Sequence, residues 1–483
     1  MSGADLRAGL VARAGLLSEA QFAAAEELLR VVDSHGLETV RLSFADQHGI
    51  LRGKTLTASA LASAFRSGMA MTSTLLLKDT SHRTVFPVWA EGTGLGEGRL
   101  DGAGDVLIVP DPGTFRILPH SPHSGWMLCD LRYKDGAEMP FCPRSILKRA
   151  VARLADAGTD MLCGLEVEFH IHRVTQPRMA HAEGGMPATP PETEALNHGY
   201  QYLTEGRYAE IEEIMDRIRR AAQTLDLPVR SMEVEFGPSQ VEMTFDPADP
   251  LRQADAMVLF RTTVKELCRR EGLHATFMCR PRTPNAIPSG WHLHQSLLDR
   301  ETGRNLFRSP DGSLTPAASG WIAGLLAHAA ESCLLSTPTV NGYKRYQPFQ
   351  LAPDRIQWGR DNKGAMLRSL IGADDPASRI ENRVAEPAAN PYLFIASQIH
   401  AGLDGIARGL AAPEPVERPY ESDAAALPRT LGEAVERFAE SAFWQREWGD
   451  DTVRWLSHIK RSEWQRYLAD LSEWEEREYY ALF

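Results

Sequence analysis

The chain is short of cysteine, of excess basic charge and of long apolar runs, and each shortage removes a class of function. Its six cysteines, Cys129, Cys142, Cys163, Cys268, Cys279 and Cys333, are spread over 483 residues and form no Cys-x-x-Cys. Neither a disulfide framework nor a zinc site is expected, and a reducing cytoplasm suits such usage. Acidic residues outnumber basic ones, giving a net charge of −12. That argues against a general nucleic-acid binder, which must neutralise phosphates, and against anchoring on anionic lipid. The first residues, Met1-Ser2-Gly3-Ala4-Asp5-Leu6-Arg7, carry no apolar signal core. The most apolar run, 317–335, is interrupted by Gly320, His328 and Glu331 and reads as a buried helix rather than a membrane span. No repeat or heptad pattern is present.

What remains is an ordinary globular composition, 43% hydrophobic and 24% charged. A single core rarely exceeds about 250–300 residues, so at least two domains are expected. Ser18-Glu19-Ala20-Gln21 has the form of a capping box opening a helix through residues 23–32, closed at His35-Gly36. Residues 38–44 alternate with Val40, Leu42 and Phe44 on one side, Asp46-Gln47-His48-Gly49 turns, and 50–56 returns as a hairpin. Further extended pieces are expected at 71–77, 85–88, 105–109 and 126–130, with a turn at Pro110-Asp111-Pro112-Gly113. This divides the chain into a helical extension (1–36), a mostly β domain (37–140) and a larger mixed domain (141–483). In the last, Pro143 opens a helix through 157. Residues 174–200 form a long irregular loop, 209–224 an amphipathic helix, and 411–428 a surface connection. Residues 431–442 and 453–483 are read as aromatic-rich helices.

Six short pieces carry chemistry. In Gly164-Leu165-Glu166-Val167-Glu168-Phe169 the strand period sends both carboxylates out of one face, where they repel unless a cation or proton lies between them. Glu235 and Glu242 flank a Gly237-Pro238 break. His292 and His294 share a strand face in Ser289-Gly290-Trp291-His292-Leu293-His294-Gln295-Ser296. Asn341-Gly342-Tyr343-Lys344-Arg345, then Asn362-Lys363-Gly364-Ala365-Met366-Leu367-Arg368, and Arg379-Ile380-Glu381-Asn382-Arg383 followed by Asn390-Pro391-Tyr392-Leu393, complete the set. Each alone has a plain reading: a solvated strand face, a tight turn, a satisfied histidine, a salt-bridge ladder.

In this order, the six resemble the glutamine synthetase family: Glu-x-Glu, Glu-x-x-Pro-Gly-Gln-x-Glu with Ser239 for the glycine, Gly-x-His-x-His-x-Ser, Asn-x-x-Lys-Arg, an arginine-bearing phosphate segment, and Arg-Ile-Glu-x-Arg. The likeness runs from about residue 37 to the end and includes Val109-Pro110-Asp111-Pro112 and residues 388–393. It implies an α+β chain: a β-grasp N-terminal domain and an α/β catalytic domain whose antiparallel sheet forms a funnel. It also implies assembly into rings, commonly a dodecamer of two stacked hexamers. By the resemblance, Glu168, Glu235 and Glu242 would hold one divalent metal, and Glu166, His292 and Glu381 a second. Five carboxylates with one imidazole are a hard, thiol-free set suited to Mg²⁺ or Mn²⁺. His294, Ser296, Arg368 and Arg379 match ATP-contacting positions. Lys363 falls where an arginine usually meets the transferred phosphoryl group. Arg345, Arg383 and Gly290 match the glutamate site, where arginine forks suit carboxylates. The implied reaction phosphorylates the γ-carboxylate of glutamate with ATP, and an amine then displaces phosphate.

Three departures concern the second substrate. Ammonia-using members carry an Asp-Gly-Ser-Ser loop; the comparable region here is Met69-Ala70-Met71-Thr72-Ser73-Thr74-Leu75. They carry a flap glutamate before Ala-Pro; here Gln347-Pro348-Phe349-Gln350-Leu351-Ala352-Pro353 places Leu351 there. Their Asn-Gly before Ser-Gly is Ile287-Pro288. Without either acid an ammonium ion is poorly held, and the apolar Leu351 favours an apolar substituent. The expected enzyme is a γ-glutamyl ligase for an arylamine or short alkylamine. The alternatives are a polyamine ligase, an ordinary ammonia-dependent glutamine synthetase, and a relative that has lost catalysis. Tyr420 lies near a position adenylylated in some members and reads here as a surface loop tyrosine.

Overall fold

A computed structural model describes residues 5–90, 95–347 and 351–483. The capping box closes as the sequence dictates. Ser18 Oγ accepts the Gln21 amide, Gln21 answers to the Ser18 amide, and the helix Glu19–Ser34 runs to a left-handed Gly36. Strands β1 (Thr39–Ala45) and β2 (Leu51–Thr57) pair antiparallel, with Val40, Leu42 and Phe44 buried. They join β3 (Met69–Thr72), β4 (Asp105–Pro110), β5 (Arg116–Ile117) and β6 (Ser124–Arg132) in a six-stranded sheet of order β2-β1-β6-β4-β3, with β5 on β6. β1 runs parallel to β6.

Two extended pieces differ from expectation. After β3 the chain tightens into a 3₁₀ turn, Ser73–Leu77. Residues 85–88 alternate but form no strand. Phe86 and Val88 are buried, Phe86 packing on His458 of a C-terminal helix, and His458 Nε2, not a neighbouring strand, takes the Val85 carbonyl at 2.9 Å.

The second sheet has nine strands and is built on the 16-residue β7 (Thr159–Val174), entered from the helix Pro143–Asp156. β8 (Thr193–Ala195), β9 (Val229–Val234), β10 (Gln240–Phe245), β11 (Leu273–Thr276), β12 (Trp291–Asp299), β13 (Trp358–Arg360), β14 (Leu367–Leu370) and β15 (Arg379–Asn382) complete it. The order is β13-β14-β15-β12-β7-β10-β9, with β8 and β11 also on β7. Every pair is antiparallel except β13 with β14. One face of β7 is apolar: Leu165, Val167 and Phe169 are buried, and Phe169 packs on Phe260 and Phe277. The helices Pro143–Asp156 and Pro250–Arg270 cover that face, and Pro391–Ala407 packs on both and reaches the sheet where Phe394 meets Trp291 of β12. The other face is left for charge.

Elsewhere helices are more divided than the sequence period suggests. The apolar run becomes Pro316–Ala327 and Ala329–Ser336, buried and broken at His328. Residues 205–224 form Glu205–Ala209 and Glu212–Thr224. The C-terminal region forms Leu431–Ala439, Ala442–Trp448, Asp450–Leu468 and Glu473–Tyr479, because the hydroxyls of Ser441 and Ser472 and the left-handed Gly449 start new helices. Among the described residues, no helix is long and apolar enough to cross a membrane.

Candidate active site

Cross-strand register gathers the polar residues of the open face into rows. His292 of β12 sits opposite Glu166, and Glu242 of β10 opposite Glu168. Glu381 of β15 lies between His294 and Arg368. Glu166, His292 and Glu381 each bring a ligand atom within 4.8 Å of the others. His292 Nδ1 is 3.2 Å from Glu166 and 3.6 Å from Glu381, and its Nε2 is 3.8 Å from Glu168. Glu168, Glu235 and Glu242 gather beside them: Glu168 faces Glu242 across the sheet, and Glu235 and Glu242 lie close enough to repel each other.

The two sets differ in their electrostatics. Burial alone would raise the Glu166 carboxyl, but hydrogen bonds from His292 and His294 pull it well below the carboxylate range. Burial of Glu381 is likewise outweighed, by the positive charge of Arg383 and then by the two histidines. In the second set burial wins. Glu168, Glu235 and Glu242 are all pushed up, and each repels its neighbours. Among the described residues, no lysine or arginine forms an ion pair with Glu235 or Glu242. Three buried acids with so little compensation are what a hard divalent cation would neutralise.

Basic side chains ring the first set. His294 Nε2 lies 2.8 Å from Glu166, and its Nδ1 accepts Arg379 Nε–H at 3.1 Å. Arg368 donates Nη1–H to Glu381 at 3.1 Å and Nε–H to Asp361 at 2.9 Å. Arg383 is buried, pairs with Glu381, and donates Nε–H to the Lys363 carbonyl at 3.0 Å, which fixes the loop that presents Lys363. Ser296 Oγ donates to the Ser378 carbonyl. Arg345 donates to the carbonyls of Arg383, Val384 and Ala385 at 3.0 Å and so clamps the chain leaving β15. Gly290 must lack a side chain: a Cβ there would stand 2.6 Å from Arg345 Nη2 and 2.9 Å from His292 Nε2.

At the margins, Leu351 is 44% exposed with φ +50°, while flap residues 348–350 lie outside the described residues. Tyr420 is not on open surface. It is half-buried, faces Gly364, and hydrogen-bonds to the Leu351 backbone, linking the flap to the Lys363 loop. Ser239 has φ +63°, which accounts for the family glycine there. Gln240, inside the 235–242 segment, has a role that its local pattern does not signal. Its Nε2 donates to Glu168 at 3.0 Å and to Ser289, and its Oε1 accepts the Gly237 amide, so it orients a carboxylate and holds the turn. Asp361, the partner of Arg368, gave no local signal. Ile287 packs on Gly237.

The family model for the glutamine synthetase catalytic domain matches residues 140–479. A gamma-glutamylanilide synthase of Acinetobacter sp is 39% identical, covering 98% of both chains. A gamma-glutamylethanolamide synthetase of Streptomyces coelicolor is 33% identical, covering 94% of each. The solved structure of GmaS without ligand superposes with a TM-score of 0.78 at 27% identity, covering 94% of this chain and 99% of that one.

Proposed function

Because the chain belongs to the glutamine synthetase family, we propose that it uses an apolar or weakly basic monoamine, an arylamine or short alkylamine, in place of ammonia. The protein is an ATP-dependent carbon–nitrogen ligase of the glutamate–amine type. Family members use ATP and divalent metal ions. Glu166, His292 and Glu381 would hold one ion and Glu168, Glu235 and Glu242 another, and the donor chemistry fits Mg²⁺ or Mn²⁺. Bound there, such ions would screen the phosphates of ATP and orient the acceptor carboxylate.

The chain's own groups then have distinct tasks. His294, Ser296, Arg368 and Arg379 receive ATP, and Lys363 meets the transferred phosphoryl group, keeping the charge of an arginine without its planar fork. Arg345, Arg383 and the Gly290 backbone position glutamate. Arg345 does so by fixing the strand end. The γ-carboxylate takes the γ-phosphoryl group as ADP leaves, the amine nitrogen attacks the acyl carbon, and phosphate departs while the nitrogen gives up a proton and the amide forms. This is chiefly positioning and charge neutralisation.

The observation that carries the amine reading is Leu351, half-exposed where ammonia-using members place a glutamate. A weakly basic arylamine is neutral near pH 7 and needs no acid to hold it; a short alkylamine is charged there but brings an apolar substituent that suits Leu351, whereas ammonium has none and a polyamine carries distal charges as well. Retention of all six metal-ligating side chains speaks against an inactive relative, since gathering such charges away from water is costly. The anilide in the name of the Acinetobacter relative supports the reading. Division into residues 1–36, 37–140 and 141–483 is supported by the two separate sheets. A cytoplasmic setting is supported by six free, buried thiols. Assembly into rings, with a dodecamer as the leading form, follows from the family.

The test is phosphate release from ATP and glutamate with ammonia, isopropylamine, aniline and putrescine. A monoamine is expected to give the highest kcat/KM; glutamine formation from ammonia at a higher kcat/KM overturns the reading.

A further inference from the structure

A pair of aromatic rings stands at the edge of the Glu168–Glu235–Glu242 set. Phe236 follows Glu235 directly, and its amide donates to the Glu235 carboxylate at 3.1 Å. Tyr202 stacks on it, ring centroids 4.4 Å apart and planes 6° from parallel. Its hydroxyl is within electrostatic reach of Glu235, Glu242, Glu233 and Glu168. Yet both rings remain more than a third exposed, at 37% and 39%.

The backbone is strained to hold this pair in place. Tyr200 and Leu203, on either side of Tyr202, both adopt positive φ, +63° and +54°. The Tyr200 amide donates to the Phe236 carbonyl at 2.6 Å and the Leu203 amide to that of Val234 at 3.2 Å. Gly199 is pressed on Pro238 so closely that a Cβ would lie 2.4 Å from its nitrogen. The Tyr200 hydroxyl donates to the Asn285 carbonyl. Side-chain-bearing residues persist in the left-handed region where surroundings enforce it, and such strain concentrates at ligand-handling sites. Three segments are thus fastened together to present two flat rings beside acids.

We propose that the Tyr202–Phe236 stack is the wall that receives the hydrocarbon ring of the amine substrate, making an arylamine the preferred acceptor over an alkylamine. This rests on the monoamine reading above and narrows it. An alkylammonium finds those acids already committed to a divalent cation, and its small alkyl group covers little of the two rings. A neutral arylamine gains from extending the stack, offset or edge-on, with its nitrogen left free to face the glutamate acyl carbon.

The experiment compares kcat/KM for aniline and isopropylamine in the full-length wild type and in Tyr202→Ala, Tyr202→Phe and Phe236→Leu, with size-exclusion profiles of each. The ratio within one variant cancels any general loss. Wild type is expected to favour aniline. Tyr202→Ala and Phe236→Leu are expected to lower the ratio about tenfold through the KM for aniline, and Tyr202→Phe to keep it within about twofold. Wild-type preference for isopropylamine overturns this inference and leaves the monoamine reading standing. So does a ratio unmoved in both ring-removing variants, or parallel loss of both activities with a smaller assembly, which would make the rings a subunit contact. Turnover of ammonia alone overturns both readings.

Discussion

His294 bridges Glu166 to Arg379, one ring nitrogen on each. Because Nδ1 accepts from the guanidinium, the neutral ring carries its proton on Nε2, aimed at the carboxylate. His294→Ala removes both restraints. The KM for ATP is expected to rise about tenfold as Arg379 loses its anchor. Steady-state kinetics at saturating glutamate and amine measures this.

The buried acids Glu168, Glu235 and Glu242 repel one another, so a divalent cation should stabilise the fold as well as permit turnover. Mg²⁺ or Mn²⁺ at about 100 times its Kd is expected to add about 2.7 kcal/mol and raise Tm. Excess chelator should reverse the shift and stop phosphate release. An unchanged Tm by scanning calorimetry contradicts the assignment.

Ser239 provides a backbone test near the same carboxylates. Its Oγ accepts the Leu196 amide at 2.7 Å while its φ is +63°. Ser239→Ala keeps the strain and loses the acceptor, so a loss of about 1–2 kcal/mol is expected in urea unfolding. Ser239→Gly loses the acceptor but relieves the strain and should fall within about 0.5 kcal/mol of wild type.

His328 makes stability pH-dependent at a distance from the site. Burial alone would lower its pKa, but hydrogen bonds to Glu331 and Asp404 prevail and raise it. A group whose folded pKa is raised contributes fully below its unfolded value, about 6.5, and loses that contribution as pH rises through the folded value. The stability advantage of wild type over His328→Gln is therefore expected to be larger at pH 6 than at pH 9, measured by urea titration.

Leu351→Glu restores an acid to the flap. It is expected to lower kcat/KM for monoamines about tenfold and to raise it for ammonia, as an ammonium ion gains a counter-charge. Product analysis of glutamine against amide checks both directions.

The sequence made the β1–β2 hairpin, the capped helix Glu19–Ser34 and β7 readable, because in each the local period and the buried face agree. The proposed ligands Glu166, Glu168, Glu242, His292 and Glu381 could be singled out because they stand on strands within distinctive short patterns. Relationships across strands were not. The parallel pairing of β13 with β14, the Asp361 partner of Arg368 and the grip of Gln240 on Glu168 depend on register, which no local stretch encodes. The breaks among the C-terminal helices were hidden in a continuous aromatic pattern, because one serine hydroxyl or one glycine φ decides each. Tyr420 looked exposed because its cover comes from loops distant in sequence.

One ligand of each proposed cation sits on β7, with a single residue between them. The offset of Glu166 from Glu168 is therefore the covalent repeat of an extended chain, about 6.6–6.8 Å for two residues. Side-chain substitutions elsewhere can alter how tightly either ion is gripped, but not the length of this ruler. Inserting or deleting one residue between 166 and 168 would turn one carboxylate to the oily side of the sheet, so this gauge is inherited whole or lost.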